Sequence, residues 1–96
     1  MREIIKQAKA REDLKGIWYY TREHWDVAQA DKYLRELNTG IARLAANPDV
    51  GRPREDVCAG YRSLSINQHI VYYTLAPDAV RIVRVLHSRM DVPRHL

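Results

Sequence analysis

Apolar residues recur every three or four positions through the first half of the chain, which is the spacing of one face of a helix. From about Ala8 to Trp25 the predicted inward face consists of Leu14, Ile17, Trp18, Thr21 and Trp25. A second stretch reaches about Ala46 and has the apolar stripe Ala30, Tyr33, Leu34, Leu37, Ile41, Leu44 and Ala45. Almost no residues separate the two stretches, so we expect an antiparallel helical hairpin.

Local signals mark both ends of the second helix. Asp26 and Gln29 have the spacing of a capping box, in which the first side chain accepts a hydrogen bond from the backbone three residues on. Asn47-Pro48 should end the helix, because the residue before a proline avoids the helical region. The stretch 47–60 holds two prolines, two glycines and five charged residues without an apolar period, which predicts a long irregular loop.

Short runs rich in β-branched and aromatic residues predict strands. Adjacent Ile4 and Ile5 indicate the first strand, and turns at Asn67-Gln68 and Ala76–Ala79 separate the later ones. The predicted strands are 2–6, Tyr61–Ile66, His69–Leu75 and Val80–His87. The last of them is apolar on both faces, which is typical of a central strand, and the tail Ser88–Leu96 should be irregular.

The resulting order, β-α-α-β-β-β, predicts a single α+β domain over residues 1–96, in which a helical hairpin covers one face of an antiparallel sheet. The other face of the sheet should be partly open, or covered by something outside this chain. A domain of 96 residues buries only about 60–65% of the surface that its unfolded chain exposes. A partner that covers apolar area would therefore stabilise it by mass action.

Charge and composition narrow the possible partners, compartments and cofactors. The net charge of +4 and the pI near 9.5 favour an acidic partner, either nucleic acid or protein, although the same charge also serves solubility alone. Cys58 is the only cysteine, which suits a reducing cytoplasm. No apolar run approaches the about 18 residues of a membrane span, and the charged start is unlike a signal peptide. The apolar runs therefore predict no membrane contact. Because zinc-ligand spacing and a Gly-rich phosphate loop are both absent from the sequence, we also expect no metal and no cofactor.

Five runs occur in a characteristic order. They are Ala10–Leu14 with Ile17–Tyr20, Ala30–Leu37, Asn47–Arg54, Gly60–Leu64, and Val83–Asp91 with the tail to Leu96. Together they resemble the RelE/ParE toxins of bacterial toxin–antitoxin pairs, and in detail the ParE branch. Members of this group often place Ser-Pro before the first helix, whereas this chain has Lys6-Gln7-Ala8, so the usual cap and proline are absent there.

The resemblance implies a cytoplasmic toxin of a type II toxin–antitoxin system, held inactive by a cognate ParD-like antitoxin whose C-terminal segment wraps it. Operator DNA would be bound only through the toxin–antitoxin complex. The free toxin would inhibit DNA gyrase without being an enzyme, and so block replication and growth. The alternative within the superfamily is a RelE-like, ribosome-dependent mRNA endoribonuclease. A third interpretation is a domesticated toxin that only supports repression.

A ribonuclease would need a base for the 2′-hydroxyl, an acid for the leaving oxygen and cations for the phosphate. The candidates are Arg62, His87 and Arg89, of which the last two are close enough in sequence to project from one face. In the competing interpretation His87 packs at the strand end and hydrogen-bonds the loop. Arg89 then pairs with Asp91 or with a carboxylate in 55–56.

Two candidate binding surfaces follow from the resemblance and the charge. Residues expected to contact the target are Arg52, Arg62, His87, Arg89 and Arg94. The alternative for these cations is a solvated face with local salt bridges to Glu55 and Asp56. Residues expected to contact the antitoxin are Trp18, Tyr19, Tyr20 and Tyr33. Three consecutive aromatics at 18–20 span more than half a helical circumference, so we expect Tyr19 or Tyr20 to leave the core face.

Overall fold

Two helices lie against a five-stranded sheet in the computed structural model, which describes residues 1–90. The elements in chain order are β1 (Glu3–Lys6), α1 (Ala8–His24), α2 (Val27–Arg43), β2 (Arg52–Pro53), β3 (Arg62–Ile66), β4 (His69–Ala76) and β5 (Ala79–His87). This order confirms the α+β class and the paired helices. Most of the predicted irregular tail, from Asp91 onwards, and the candidate Arg94 lie outside the described residues.

The sheet has the strand order β1-β5-β4-β3-β2. The strands β3, β4 and β5 form the expected antiparallel meander, but β1 runs parallel to β5, with Glu3 opposite Ala79. The expectation of a wholly antiparallel sheet is therefore wrong at this edge, because β1 has no hairpin partner and a long crossover through the helices sets its direction. The loop predicted over 47–60 likewise contains the short edge strand β2, where Pro53 is tolerated.

The core lies between the helices and the sheet. Its buried residues come from both helices, from the residue that follows α2, and from β4 and β5: Ala10, Leu14, Leu37, Ile41, Leu44, Val71, Tyr73, Val80, Ile82 and Val85. The apolar stripe predicted for the second helix is thus confirmed, with Tyr33 and Leu34 packed at its margin. The helix ends at Arg43, slightly before the predicted end near Ala46.

The inward face of α1 is confirmed at Leu14 and Thr21, which are buried, and is wrong at Trp25, which is 67% exposed. Trp25 follows the last helical residue, and its φ of −133° and ψ of −101° take it off the helical path. At the junction, Asp26 Oδ1 accepts a hydrogen bond from the Gln29 backbone N–H at 2.7 Å, so the predicted cap of α2 is confirmed. Within residues 1–90 no helix is long and apolar enough to cross a membrane.

Candidate binding groove

A groove of about 880 Å³ opens where the second half of α1 meets the start of α2 and the neighbouring ends of β4 and β5. Its apolar lining consists of Ile17, Tyr20, Trp25 and Met90. Its polar lining includes Tyr33, His69, His87 and Arg89, together with the carboxylates of Glu12 and Asp13. The fold therefore brings residues predicted for two different partners, the target and the antitoxin, into one site.

The apolar lining is largely open to solvent. Tyr20 is 59% exposed, Trp25 67% and Met90 44%. Tyr20 also stacks on His24, with 3.9 Å between the ring centroids, which holds the phenol ring against the end of α1. A group of large exposed apolar side chains beside a groove is typical of an interaction surface rather than of scattered surface residues.

The four aromatic residues predicted for antitoxin contact divide into two pairs. Tyr20 and Tyr33 line the groove, whereas Trp18 and Tyr19 are not part of its lining. The Trp18 indole N–H donates to Asp31 Oδ1 at 2.9 Å and so ties α1 to α2. Of the consecutive aromatics, both Tyr19 and Tyr20 leave the core, since they are 52% and 59% exposed.

Hydrogen bonds fix His69 in the polar lining. The Tyr33 hydroxyl accepts the Gln68 backbone N–H at 3.2 Å and lies 2.6 Å from His69 Nδ1. No other acceptor for the hydroxyl proton lies within residues 1–90, so Tyr33 donates to Nδ1. A neutral His69 ring that accepts at Nδ1 must carry its own proton on Nε2.

The neighbouring ring of His87 is fixed in the same way. Its Nδ1 accepts the Arg89 backbone N–H at 3.1 Å, so the neutral ring carries its proton on Nε2. The two imidazole rings meet edge to face with 5.3 Å between their centroids. His87 therefore stabilises the turn after β5, which agrees with the interpretation that it packs at the strand end.

His69 and the Tyr33 phenol that hydrogen-bonds it are both neutral near pH 7. Burial and, to a smaller extent, the nearby His87 together lower the pKa of His69 to about 4, while Asp13 acts weakly in the opposite direction. Burial also raises the pKa of the Tyr33 phenol. The hydroxyl proton consequently stays on Tyr33, and His69 remains an uncharged donor at Nε2.

Asp13, which the sequence analysis did not single out, anchors the strand beside the groove. Its carboxylate accepts hydrogen bonds from Arg84 at 2.7 and 2.8 Å and from the Val85 backbone N–H at 3.0 Å. The pairing of β5 with β1 ends at Ile82. Asp13 therefore accepts a backbone N–H of β5 beyond the last residue that β1 pairs with. The ion pair also raises the pKa of Arg84. An acidic residue beside Leu14 on the inward helix face was the only local signal for this role.

The structure does not bring Arg62 near His87. Arg62 is opposite Tyr73, whereas His87 is opposite His69, which is itself opposite Ile66. Arg62 and Ile66 are the two ends of β3, and at about 3.3 Å per residue their rows lie about 13 Å apart. The three residues proposed for ribonuclease chemistry therefore do not form one cluster.

Arg62 instead holds the loop that precedes β2. Its Nη2 donates to the backbone carbonyls of Asp49 at 3.0 Å and Gly51 at 2.6 Å. The Tyr73 hydroxyl binds the same loop, because it accepts the Gly51 N–H at 3.0 Å and donates to the Pro48 carbonyl at 2.8 Å. This pair of side chains fixes residues 48–51 against the end of the sheet.

The predicted cation Arg52 and the nearby Arg54 have separate surroundings. Arg54 pairs with Asp56 at 3.1 Å and thereby lowers the pKa of that carboxylate, as the salt-bridge interpretation expects. Glu55 accepts the Gly60 backbone N–H, so neither carboxylate in 55–56 serves Arg89. Arg52 is exposed on β2. Within the described part of the chain, no group of three or more His, Cys, Asp or Glu residues could hold a metal ion.

Comparisons of the sequence with a family model and with known proteins agree on one family. The family model described as ParE toxin of type II toxin–antitoxin system, parDE, matches residues 4–92. Toxin ParE1 of Mycobacterium tuberculosis is 46% identical over 88 residues, covering 91% of this chain and 90% of that protein. Toxin ParE1 of Caulobacter vibrioides is 41% identical over 88 residues, covering 92% and 91%.

The fold is also that of a solved structure. A chain of the chromosomal ParDE toxin–antitoxin system from P. aeruginosa superposes with a TM-score of 0.80 at 22% sequence identity. The match covers 91% of this chain and 96% of that chain, so it includes the helical hairpin and the sheet.

Proposed function

The chain belongs to the ParE toxin family of type II toxin–antitoxin systems, and we propose that it arrests growth by inhibiting DNA gyrase, without catalysing a reaction itself. The toxin acts in the cytoplasm and is neutralised by a cognate antitoxin of the ParD kind. Operator DNA is contacted only by the complex of the two proteins.

The observation that carries the non-enzymatic part is the dispersal of the ribonuclease candidates. Arg62 is engaged with loop carbonyls at the opposite end of the sheet from His87. A general base must offer a lone pair within reach of the proton it removes. The Nδ1 lone pairs of His69 and His87 are both occupied by hydrogen bonds within the fold. These imidazoles are therefore arranged as donors rather than as bases.

A gyrase assay tests the proposal directly. Purified protein is titrated into supercoiling and cleavage reactions that contain DNA and ATP, and the products are resolved on agarose gels. We expect loss of supercoiling with trapped double-strand breaks, and recovery when the co-encoded antitoxin is added. A protein that halts growth but leaves gyrase unaffected at every concentration would refute gyrase as the target.

Primer extension on translated messages separates the ribonuclease alternative. New cuts within ribosome-bound messages soon after induction would replace the present proposal with RelE-like cleavage. Induction without the antitoxin separates the third interpretation, because a domesticated protein would leave growth unchanged. The relatives supply the precedent for a toxin, and these two measurements are independent of the gyrase assay.

A further inference from the structure

The loop that follows β2 carries an ion pair between two residues that are close together in sequence. Arg54 Nε and Nη2 each donate to one carboxylate oxygen of Asp56 at 3.1 Å, so the guanidinium holds the carboxylate in a two-pronged fork. The side chain of Arg54 is 14% exposed, whereas that of Asp56 is 68% exposed. A carboxylate so open to solvent gains little from the pair, and another anion can therefore replace it on the fork.

Beneath this guanidinium lies a buried hydroxyl whose proton lacks an acceptor. The guanidinium carbon of Arg54 is 5.6 Å from the centre of the Tyr72 ring, and Tyr72 is completely buried. Among residues 1–90 the Tyr72 hydroxyl has no partner at hydrogen-bonding geometry, and its charged neighbour is Arg54. A guanidinium offers donors only, so the proton of this hydroxyl can be satisfied only by an acceptor from outside these residues.

Two further side chains favour negative charge at this position. Ser63, which is opposite Tyr72 in the sheet, is buried, and its hydroxyl lies 3.4 Å from Arg54 Nη1. Hydrogen bonds from Arg54 and, to a smaller extent, the charge of Arg52 lower the pKa of Asp56. Both arginines therefore stabilise an anion where the Asp56 carboxylate lies, next to a tyrosine and a serine hydroxyl.

The number of donors indicates which anion fits. A carboxylate has only two oxygens and uses both on the fork, as Asp56 does. A terminal phosphate group has a third free oxygen, so it can occupy the fork and also accept from a hydroxyl, which an internal phosphodiester cannot do with its free oxygens. We infer that Arg54, Tyr72 and Ser63 bind a terminal phosphate group, and that Asp56 occupies this site in the free protein as an internal competitor. The site lies outside the groove, and the inference is independent of gyrase as the target.

A matched pair of oligonucleotides measures the contribution of the terminal phosphate alone. The probes are a decathymidylate with a 3′-fluorescein and a 5′-phosphate, and the same strand with a 5′-hydroxyl, each titrated with the full chain by fluorescence anisotropy. Non-specific attraction to the backbone phosphates is shared by the two strands, so the ratio of their dissociation constants reports the site. We expect the parent protein to prefer the phosphorylated strand by no more than about threefold, because Asp56 competes for the fork.

A matched pair of variants separates the fork from the general charge of the loop. Asp56→Asn and Glu55→Gln each remove one negative charge, but Asp56 binds Arg54, whereas Glu55 accepts the Gly60 backbone N–H. Asp56→Asn should raise the preference for the phosphorylated strand about tenfold, and Glu55→Gln should leave it unchanged. Adding Tyr72→Phe to Asp56→Asn should reverse most of this increase. The added change should not impair folding, because the hydroxyl that it removes has no hydrogen-bond partner among residues 1–90.

The Arg54 Nε–H resonance in ¹H–¹⁵N spectra gives an independent measurement. Inorganic pyrophosphate should move this resonance and leave the indole resonances of Trp18 and Trp25 in place, since both indoles lie away from the loop. Equal preferences of the Asp56→Asn and Glu55→Gln variants, or an Arg54 resonance that pyrophosphate does not move, would overturn the inference. Displacement of the labelled strand by ATP would support the site with a nucleotide as the source of the phosphate. Displacement by an unlabelled phosphorylated strand alone would support it with a strand end as the source.

Discussion

Two adjacent tyrosines of β4 provide a sharp test of the structure, because both are completely buried and their hydroxyls have opposite surroundings. The Tyr73 hydroxyl accepts the buried Gly51 N–H and donates to the Pro48 carbonyl. Among residues 1–90 the Tyr72 hydroxyl is buried without a partner at hydrogen-bonding geometry, and its charged neighbour is the Arg54 guanidinium. The changes Tyr73→Phe and Tyr72→Phe remove the same atom and nearly the same volume, so their transfer terms cancel in the comparison.

The expected effects differ in sign. Tyr73→Phe leaves the Gly51 N–H unsatisfied in the interior, which costs about 1–3 kcal/mol. Tyr72→Phe removes a hydroxyl that was desolvated without a well-formed hydrogen bond, near the Arg54 guanidinium only, so the free energy of unfolding should stay constant or rise by up to about 1 kcal/mol. For a domain of this size each kcal/mol corresponds to about 4–8 °C in Tm.

Thermal and urea unfolding, followed by circular dichroism, measure both variants against the parent protein. We expect the Tyr72→Phe variant to be as stable as the parent protein or more stable, and the Tyr73→Phe variant to be clearly less stable. The m-values of both should be unchanged. Equal stabilities of the two variants would show that the Tyr73 hydroxyl does not hold residues 48–51. A less stable Tyr72→Phe variant would show that the Tyr72 hydroxyl is in fact bonded.

Four further changes test other contacts. Asp13→Asn removes the negative charge that pairs with Arg84; the side chains of Asp13 and Arg84 are only 14% and 16% exposed. The change should lower the free energy of unfolding, measured by urea titration, by about 1–3 kcal/mol. His69 has a pKa of about 4 in the folded protein, below its usual 6.5. Its contribution to stability is therefore fully present above pH 6.5, where the ring is neutral in both the folded and the unfolded state. Stability should fall as pH drops from 6.5 toward 4, by at most one proton's slope more than in His69→Gln, measured at a series of pH values. Gly51→Ala places a Cβ 2.7 Å from a strand carbonyl oxygen and should destabilise the fold. Gly16→Ala places a Cβ with nothing within 4 Å and should raise the free energy of unfolding by about 0.5–1 kcal/mol, since alanine is the better helix former.

The helical hairpin was predictable because its signals are local. The stripe of α2 repeats with the helical period, and its cap needs only Asp26 and the backbone three residues on. Trp25 was misplaced because the same period was extended one residue past the helix end at His24. The parallel pairing of β1 with β5 joins residues about 76 positions apart, such as Glu3 and Ala79, and no local pattern encodes that direction.

The site was predictable in its residue types but not in its grouping. His87, Arg89, Tyr20 and Tyr33 were all selected, yet they were assigned to two partners. Their convergence depends on the pairing of β4 with β5 and on the angle at which the hairpin crosses the sheet, neither of which the chain order specifies. His69 was passed over because its importance lies in contacts with Tyr33 and His87, which are 36 and 18 positions away.

This grouping has a consequence for how the antitoxin and the target compete. If a peptide of the antitoxin occupies the groove, it covers His87 and Arg89 directly, and neutralisation at these residues follows from simple overlap. Arg52 and Arg62 lie at the other end of the sheet, where the same peptide would leave Arg52 exposed. Arg89→Gln should therefore weaken both antitoxin binding and any gyrase contact made at the groove, whereas Arg52→Gln should affect gyrase alone. If Arg52→Gln weakened both equally, one continuous surface would have to serve the two partners.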